Sequence, residues 1–373
     1  MIGAIVTFYV AISISCRGEK TYRVEVRDGV RYVHNIKPAS ERAAVSLAFV
    51  RKIGELEPKD PNYMFLRPMS VAEDDERNIY VLDTKDFCVK KFGADGAFLR
   101  RFGRQGQGPG EFQHPMTIGV VGRTRLIVSS MSSDFYIFDL DGKYVDHFRL
   151  PQYQGILPAF MKSDRLVGYS FELDGENSRD NKILKIYDFK GQAQHKFGEP
   201  FLLETAQKTW SANFLQITVD DKDNIFVAFP NQNRIEKYSG TGRLTLSIDR
   251  DLPYKIEYRY EKSTMDIGGK VAPIDQNVFT PVSRGIGIDG QGRIWVLAFQ
   301  KAAPQRQPPK DVNLGDYLGF EVYDGSGILL SRVPLPRELV RFDNMTMHGD
   351  HLFFVDPFDQ SCVYEFAVID GID

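Results

Sequence analysis

The sequence predicts an all-β fold, a six-bladed β-propeller built from four-stranded antiparallel blades. Three observations carry this. A four-strand pattern fills Met69–Pro115, its pieces recur along the chain until six copies are counted, and the two chain ends carry complementary parts of the last copy. In the template, MSVAE is followed by the charged turn DDERN and then IYVLD, and CVKKFG by the turn ADG and then AFLRRFG. Ile, Tyr, Val and Phe fall at alternate positions, the period of a strand with two unlike faces. Asp, Asn and Gly occupy the turns, where a local side-chain hydrogen bond or a positive φ is required. A single blade of this size cannot bury both faces, so the copies must stack.

Taken in order, residues 1–16, MIGAIVTFYVAISISC, form an apolar run ending in cysteine. It is shorter than the roughly 20 residues that span a bilayer and fits the apolar stretch of a secretory leader. Cys16 after a small residue resembles a lipobox, in which the thiol is acylated and the leader removed; Ser13 stands where that motif usually has Leu, and no Lys or Arg precedes the run. Tyr22–His34 reads as a hairpin turning at Asp28-Gly29, expected to pack outside the closing blade. After the link Pro38–Ala44 comes the strand Val45–Gly54, whose AFVRKIG nearly duplicates AFLRRFG at Ala97–Gly103 but has no partner strands before it. Leu56–Leu66 crosses into the first blade.

RNIYVLD of the template returns as DNIFVAF (Asp223–Phe229), GRIWVLA (Gly292–Ala298) and DHLFFVD (Asp350–Asp356). VKKFGADGAFLRRFG returns as FYIFDLDGKYVDHFR (Phe135–Arg149), LKIYDFKGQAQHKFG (Leu184–Gly198), IEKYSGTGRLTLSID (Ile235–Asp249) and FEVYDGSGILLSRVP (Phe320–Pro334). Weaker inner hairpins, near Arg125–Ser130 and Arg165–Ser170, complete copies two and three. The sixth copy, HLFFVD then CVYEF, runs into the C-terminus without a fourth strand. The orphan strand 45–54 is therefore expected to complete it, closing the ring and removing open edges. The expected organisation is a leader (1–16), an N-terminal hairpin and link (17–44) and the propeller (45–373).

NIYVLD, the hydrophobic-basic strand after it and GQGPGEFQHP resemble the NHL-repeat six-bladed propellers. The closest resemblance, over Ala43 to Ile369, is to exported six-bladed propeller lipoproteins abundant in Bacteroidetes. It implies a fold and an envelope location; it implies no activity, because propellers serve as enzymes, binders and assembly platforms alike.

Of 373 residues, 42% are hydrophobic and 12% aromatic, enough for a packed ring in one unit, and the net charge of −3 gives no bulk attraction for nucleic acid. Metal chemistry has little support. Six histidines are present without an HExxH or Cys/His cluster, and His348 and His351 flank the Gly349-Asp350 turn. Cys88 and Cys362 each open a third strand in adjacent blades, about a sheet spacing apart and too far for a disulfide, so buried free thiols are expected. GRQGQGPGEF is read as an inter-blade connection, with neither Walker spacing nor a following helix. No GxSxG motif occurs. No cofactor is expected.

Loop lengths locate the candidate site. With strands a to d in each blade, the a–b and c–d turns share one face of the disc and are all short. The long connections, Arg104–Pro115, Phe171–Lys182, Glu199–Asn213, Arg250–Pro281 and Gln300–Asp316, all belong to the other face. Long loops in a compact fold commonly carry function. Within them Tyr254, Tyr258 and Tyr260 alternate with Lys255 and Arg259, and Trp210 sits in the preceding connection. Aromatics beside cations suit stacking and hydrogen bonding to a glycan, peptide or protein ligand; the plainer role for both is packing over the blade tops. Trp210, Tyr254, Tyr258, Arg259 and Tyr260 are the ligand-binding candidates. The expected protein is thus an exported, lipid-anchored binding module of the bacterial cell envelope, attached through Cys16. The alternative is a propeller enzyme, a lyase or lactonase-like hydrolase, with its site at the channel mouth.

Overall fold

A computed structural model describes residues 20–150, 158–169, 181–267, 270–303 and 314–371. The predicted Cys16 and the connection 171–180 lie outside them, as do residues 304–313 of the Gln300–Asp316 loop. Six antiparallel blades are present. Blade one consists of Pro68–Glu73, Ile79–Asp83, Cys88–Phe92 and Phe98–Phe102. Blades two to five follow over residues 115–149, 159–197, 216–250 and 283–334. Blade six takes Asn344–His348, His351–Asp356 and Cys362–Asp370 from the C-terminus and Val45–Ile53 from the N-terminal side. Val45–Ile53 pairs antiparallel with Cys362–Asp370, Ile53 opposite Val363 and Arg51 opposite Glu365. The first strands of successive blades neighbour one another around a closed cycle, the sixth returning to the first.

The hydrophobic interior lies between blades, not at the centre of the disc. Each of six buried clusters joins two adjacent blades; one, for example, unites Val71, Ile79, Val81 and Phe92 of blade one with Phe353, Val355 and Val363 of blade six. Second strands are consequently covered on both faces: Ile79–Asp83 is buried at every position and Ile294–Phe299 at all but the last. The expected alternation of unlike faces therefore fails for these strands, which read as nearly continuous apolar runs. Outer strands such as Phe98–Phe102 keep three exposed central residues, which explains LRR between two phenylalanines.

The GRQGQGPGEF connection packs as expected. Glu111 accepts from Gly108 N at 2.8 Å and Arg104 Nε at 2.7 Å, and Phe112 is fully buried in the cluster shared by blades one and two. Cys88 and Cys362 are buried and free.

The N-terminal hairpin departs from expectation. Tyr22–Arg27 and Val30–Asn35 join blade four, not the closing blade: Val30–Asn35 runs parallel to Leu244–Arg250, with Val33 opposite Ile248, making a six-stranded sheet. The reason is a set of contacts far apart in sequence. Val33 enters the cluster between blades four and five. The buried Asn35 amide donates to Gly327 O at 3.0 Å and accepts from Leu329 N at 2.8 Å. Ala39 N then donates to Leu329 O at 2.8 Å. The segment 20–53 thus straps the rims of blades four, five and six.

Candidate functional site

The long connections build two features, an aromatic patch and the mouth of the central channel, that meet at one residue. In Glu199–Asn213 the expected loop contains a short helix, Ala206–Ala212, capped by Thr205, whose side chain accepts from Lys208 N at 3.2 Å. Asn213, fully buried, staples the base of this connection: its Oδ1 accepts from Phe201 N at 2.8 Å and its Nδ2 donates to Phe201 O at 2.9 Å. Trp210, on the helix, remains 39% exposed and packs edge-on against Phe214, centroids 4.5 Å apart.

The Arg250–Pro281 insertion forms its own two-stranded hairpin, Tyr258–Ile267 with Lys270–Phe279. Tyr258 stands at its base between Phe201 and Phe279, at 5.5 and 5.3 Å, and keeps 37% of its surface exposed. Its hydroxyl donates to Asn231 O at 3.1 Å, while Asn231 Nδ2 donates to Ser211 O at 2.9 Å, beside Trp210. Trp210, Phe201 and Tyr258 therefore belong to one patch, held by Asn213 and Asn231. The other candidates are engaged elsewhere or lie outside the described side chains. Tyr254 spends its hydroxyl on Phe299 O (3.1 Å) and Pro281 O (3.3 Å), and burial pushes its ionisation up to about 12, so it acts as a structural pin. Arg259 is engaged by Glu257 at 3.2 Å and Glu261 at 3.9 Å. Tyr260 follows in the same strand, its side chain outside the described set.

The channel has a volume of about 870 Å³ and is lined by the first strands of the blades. Phe214, Pro230 and Asn344 line it near the insertion-bearing end, so the Trp210–Phe214 pair carries the exposed patch into the channel. The short-turn end is charged. Glu73, Arg77, Lys162, His348 and His351 are among its lining residues. Arg77 bridges Glu73 (3.0 Å) and Glu365 (2.8 Å). Burial raises the Glu73 carboxyl against the opposing pull of Arg77. His348 has its pKa lowered to about 4, chiefly by burial and against a hydrogen bond to the Val71 backbone, and its Nε2 is sealed from solvent. Among the described residues, no group of three or more His, Cys, Asp or Glu side chains is placed to hold a metal ion.

The sequence named Trp210 and Tyr258 but missed Phe201, Phe214, Asn213 and Asn231. Phe201 and Asn231 acquire their places through partners on other connections, Tyr258 and Ser211, which local spacing does not show; Phe214 stands only four residues from Trp210, a helical spacing that could have marked it.

Comparison with solved structures finds the same architecture at low identity. A member of the DUF4221 family from Bacteroides vulgatus matches with a TM-score of 0.58 and 10% identity, over 88% of this chain and 99% of that one. A protein of Bacteroides fragilis assigned as exported gives 0.55 and 12%, over 91% and 100%. An aldose sugar dehydrogenase from Streptomyces coelicolor, in its PQQ-bound form, gives 0.50 and 14%, over 88% and 100%. These likenesses show the fold. Comparison with curated protein sequences finds no match. A family model covers residues 52–262, from the closing strand through blades one to four into the large insertion. The chain belongs to the DUF5128 family, described as a 6-bladed beta-propeller.

Proposed function

We propose that the protein is an exported, lipid-anchored binding module of the bacterial cell envelope that takes a glycan or peptide at the insertion-bearing mouth of its channel. The observation that carries this reading is the contact of half-exposed Trp210 with channel-lining Phe214, tied through Ser211 and Asn231 to the Tyr258–Phe201 pair. An aromatic surface leading into a concave site suits stacking on a sugar or side chain, with channel polar groups setting orientation. Anchoring would run through Cys16, and export accords with the likeness to a Bacteroides protein assigned as exported.

The two tryptophans make the test direct, since Trp295 is fully buried and Trp210 is not. Titration with neutral oligosaccharides and short peptides should shift Trp210 emission. Trp210→Ala and Tyr258→Ala should each weaken binding by about tenfold or more. Unchanged affinity in both variants for every ligand that binds the native protein would reject the site.

A second reading, an enzyme acting at the charged end of the channel, is favoured by Glu73, a channel-lining carboxyl that burial raises. A carboxyl so raised could pass a proton to a bound substrate. Turnover of a ligand abolished by Glu73→Gln but retained in Trp210→Ala would select it.

A further inference from the structure

Among the described residues, five blades end at their fourth strand, but blade four continues through the hairpin to Tyr22–Arg27, which pairs on one side only. This strand stands two strand spacings, about 9–10 Å, beyond its blade's rim. Its residues are exposed except for Val24, which is half-buried against the cluster between blades four and five. The orientation of its edge follows from one bond: Ile36 N donates to Thr21 O at 2.8 Å. Peptide groups alternate in direction along an antiparallel strand. Arg23, Glu25 and Arg27 therefore turn theirs toward Val30–Asn35, while Tyr22, Val24 and Val26 turn theirs outward.

We propose that this edge pairs with the same edge of a second copy of the chain, antiparallel about a twofold axis at Val24. The sequence YRVEVR is self-complementary in this register. Val24 meets Val24 of the second copy once, on the axis, while Tyr22 meets Val26 and Arg23 meets Glu25, these two contacts each occurring twice by symmetry. Outward peptide groups must face outward peptide groups, so the strands can slip only by two residues at a time. Either slip sets like charges directly opposite: Arg23 against Arg23, or Glu25 against Glu25 with Arg23 against Arg27. Like charges so placed are destabilising. The chosen register alone makes about six backbone hydrogen bonds, continues the apolar Tyr22–Val24–Val26 face and pairs opposite charges.

The rim of blade one lacks this match. Phe98–Phe102 carries Arg100 and Arg101 at its centre, and against a second copy it would face cations with cations. Strand addition at an exposed edge draws its affinity mainly from main-chain bonds. An interface of one short strand from each copy is small, so the dimer is reversible and concentration-dependent.

Sedimentation velocity of the full chain over a concentration series tests this. A monomer–dimer equilibrium is expected, and it should weaken as salt screens the Arg23–Glu25 pairs. Arg23→Glu and Glu25→Arg should each weaken it by about tenfold, through two symmetric contacts, and the double reversal should restore it. Val24→Pro removes an outward N–H and leaves the hairpin's own ladder intact, so it should abolish the dimer. If that variant fails to fold, the charge-reversal set decides. A chain that stays monomeric at all concentrations overturns the proposal. So does a dimer indifferent to Arg23→Glu, or one that both single reversals weaken and the double does not recover.

Discussion

A single residue device recurs at the blade turns. An Asp side chain accepts from the backbone N–H groups two and four positions later: Asp139 from Asp141 and Lys143, Asp188 from Lys190 and Gln192, Asp324 from Ser326 and Ile328. Ser239 does the same, more loosely, for Thr241 and Arg243. The residue between those two donors is a glycine, and position and packing both demand it. At Gly142 φ is 80°, and an added Cβ would lie 2.4 Å from Phe102 of blade one; at Gly242 φ is 79°, and the contact would be 2.7 Å with Phe197 of blade three. The c–d turn of one blade thus seats on the outer strand of the blade before it. Gly142→Ala should destabilise the protein by about 2–4 kcal/mol, combining left-handed backbone strain with overpacking, as read from the denaturant midpoint. The aspartates and glycines were legible in the sequence as turn residues. Their second task, touching the neighbouring blade, was not, because Phe102 is 40 positions from Gly142.

At the scale of elements, the closing strand Val45–Ile53 is held by more than its backbone ladder. Glu365, fully buried on Cys362–Asp370, takes Arg51 of the closing strand at 2.7 Å on one oxygen. On the other it takes Arg77 of blade one at 2.8 Å and His351 at 2.9 Å. One carboxylate therefore joins the N-terminal strand, the C-terminal strand and the first blade. Glu365 itself is buried, but its partners Arg51 and Arg77 reach solvent in part, so water moderates their loss of a counter-charge. Glu365→Gln should cost about 1–2 kcal/mol, seen as a lowered denaturant midpoint, whereas Glu25→Gln on the exposed hairpin should shift stability by less than about 0.5 kcal/mol. A small loss at Glu365 would mean that backbone pairing alone holds the seam. AFVRKIG shows its strand character in sequence, but the duty of Arg51 depends on Glu365, more than 300 positions away.

For the whole molecule, ring closure means that no blade is terminal. Each of the six cores needs two blades, and the one between blades six and one includes Ile53 of the closing strand. Repeat arrays gain stability from such nearest-neighbour interfaces, and unpaired edges invite aggregation. Deleting residues 20–54 should strip the outer strand from blade six, remove Arg51 and Ile53, and unstrap blades four to six. The expected result is aggregation or loss of a single cooperative melt. A soluble truncation with one sharp transition would show that the remaining strands suffice.

The sequence by itself determined the fold class, the number of blades and the positions of the short turns and long connections. Those depend on local periodicity and turn chemistry, repeated often enough to be read without an alignment. Tertiary structure alone decided the rest. It set the hairpin Tyr22–Asn35 on blade four, because Val33 and Asn35 find their partners on blades four and five. It also separated Trp210 and Tyr258, which share a patch with Phe201, from Tyr254, whose hydroxyl is spent on backbone carbonyls. Contacts between segments distant in the chain leave no periodic trace, and it is such contacts that turn a shared scaffold into a particular binding surface.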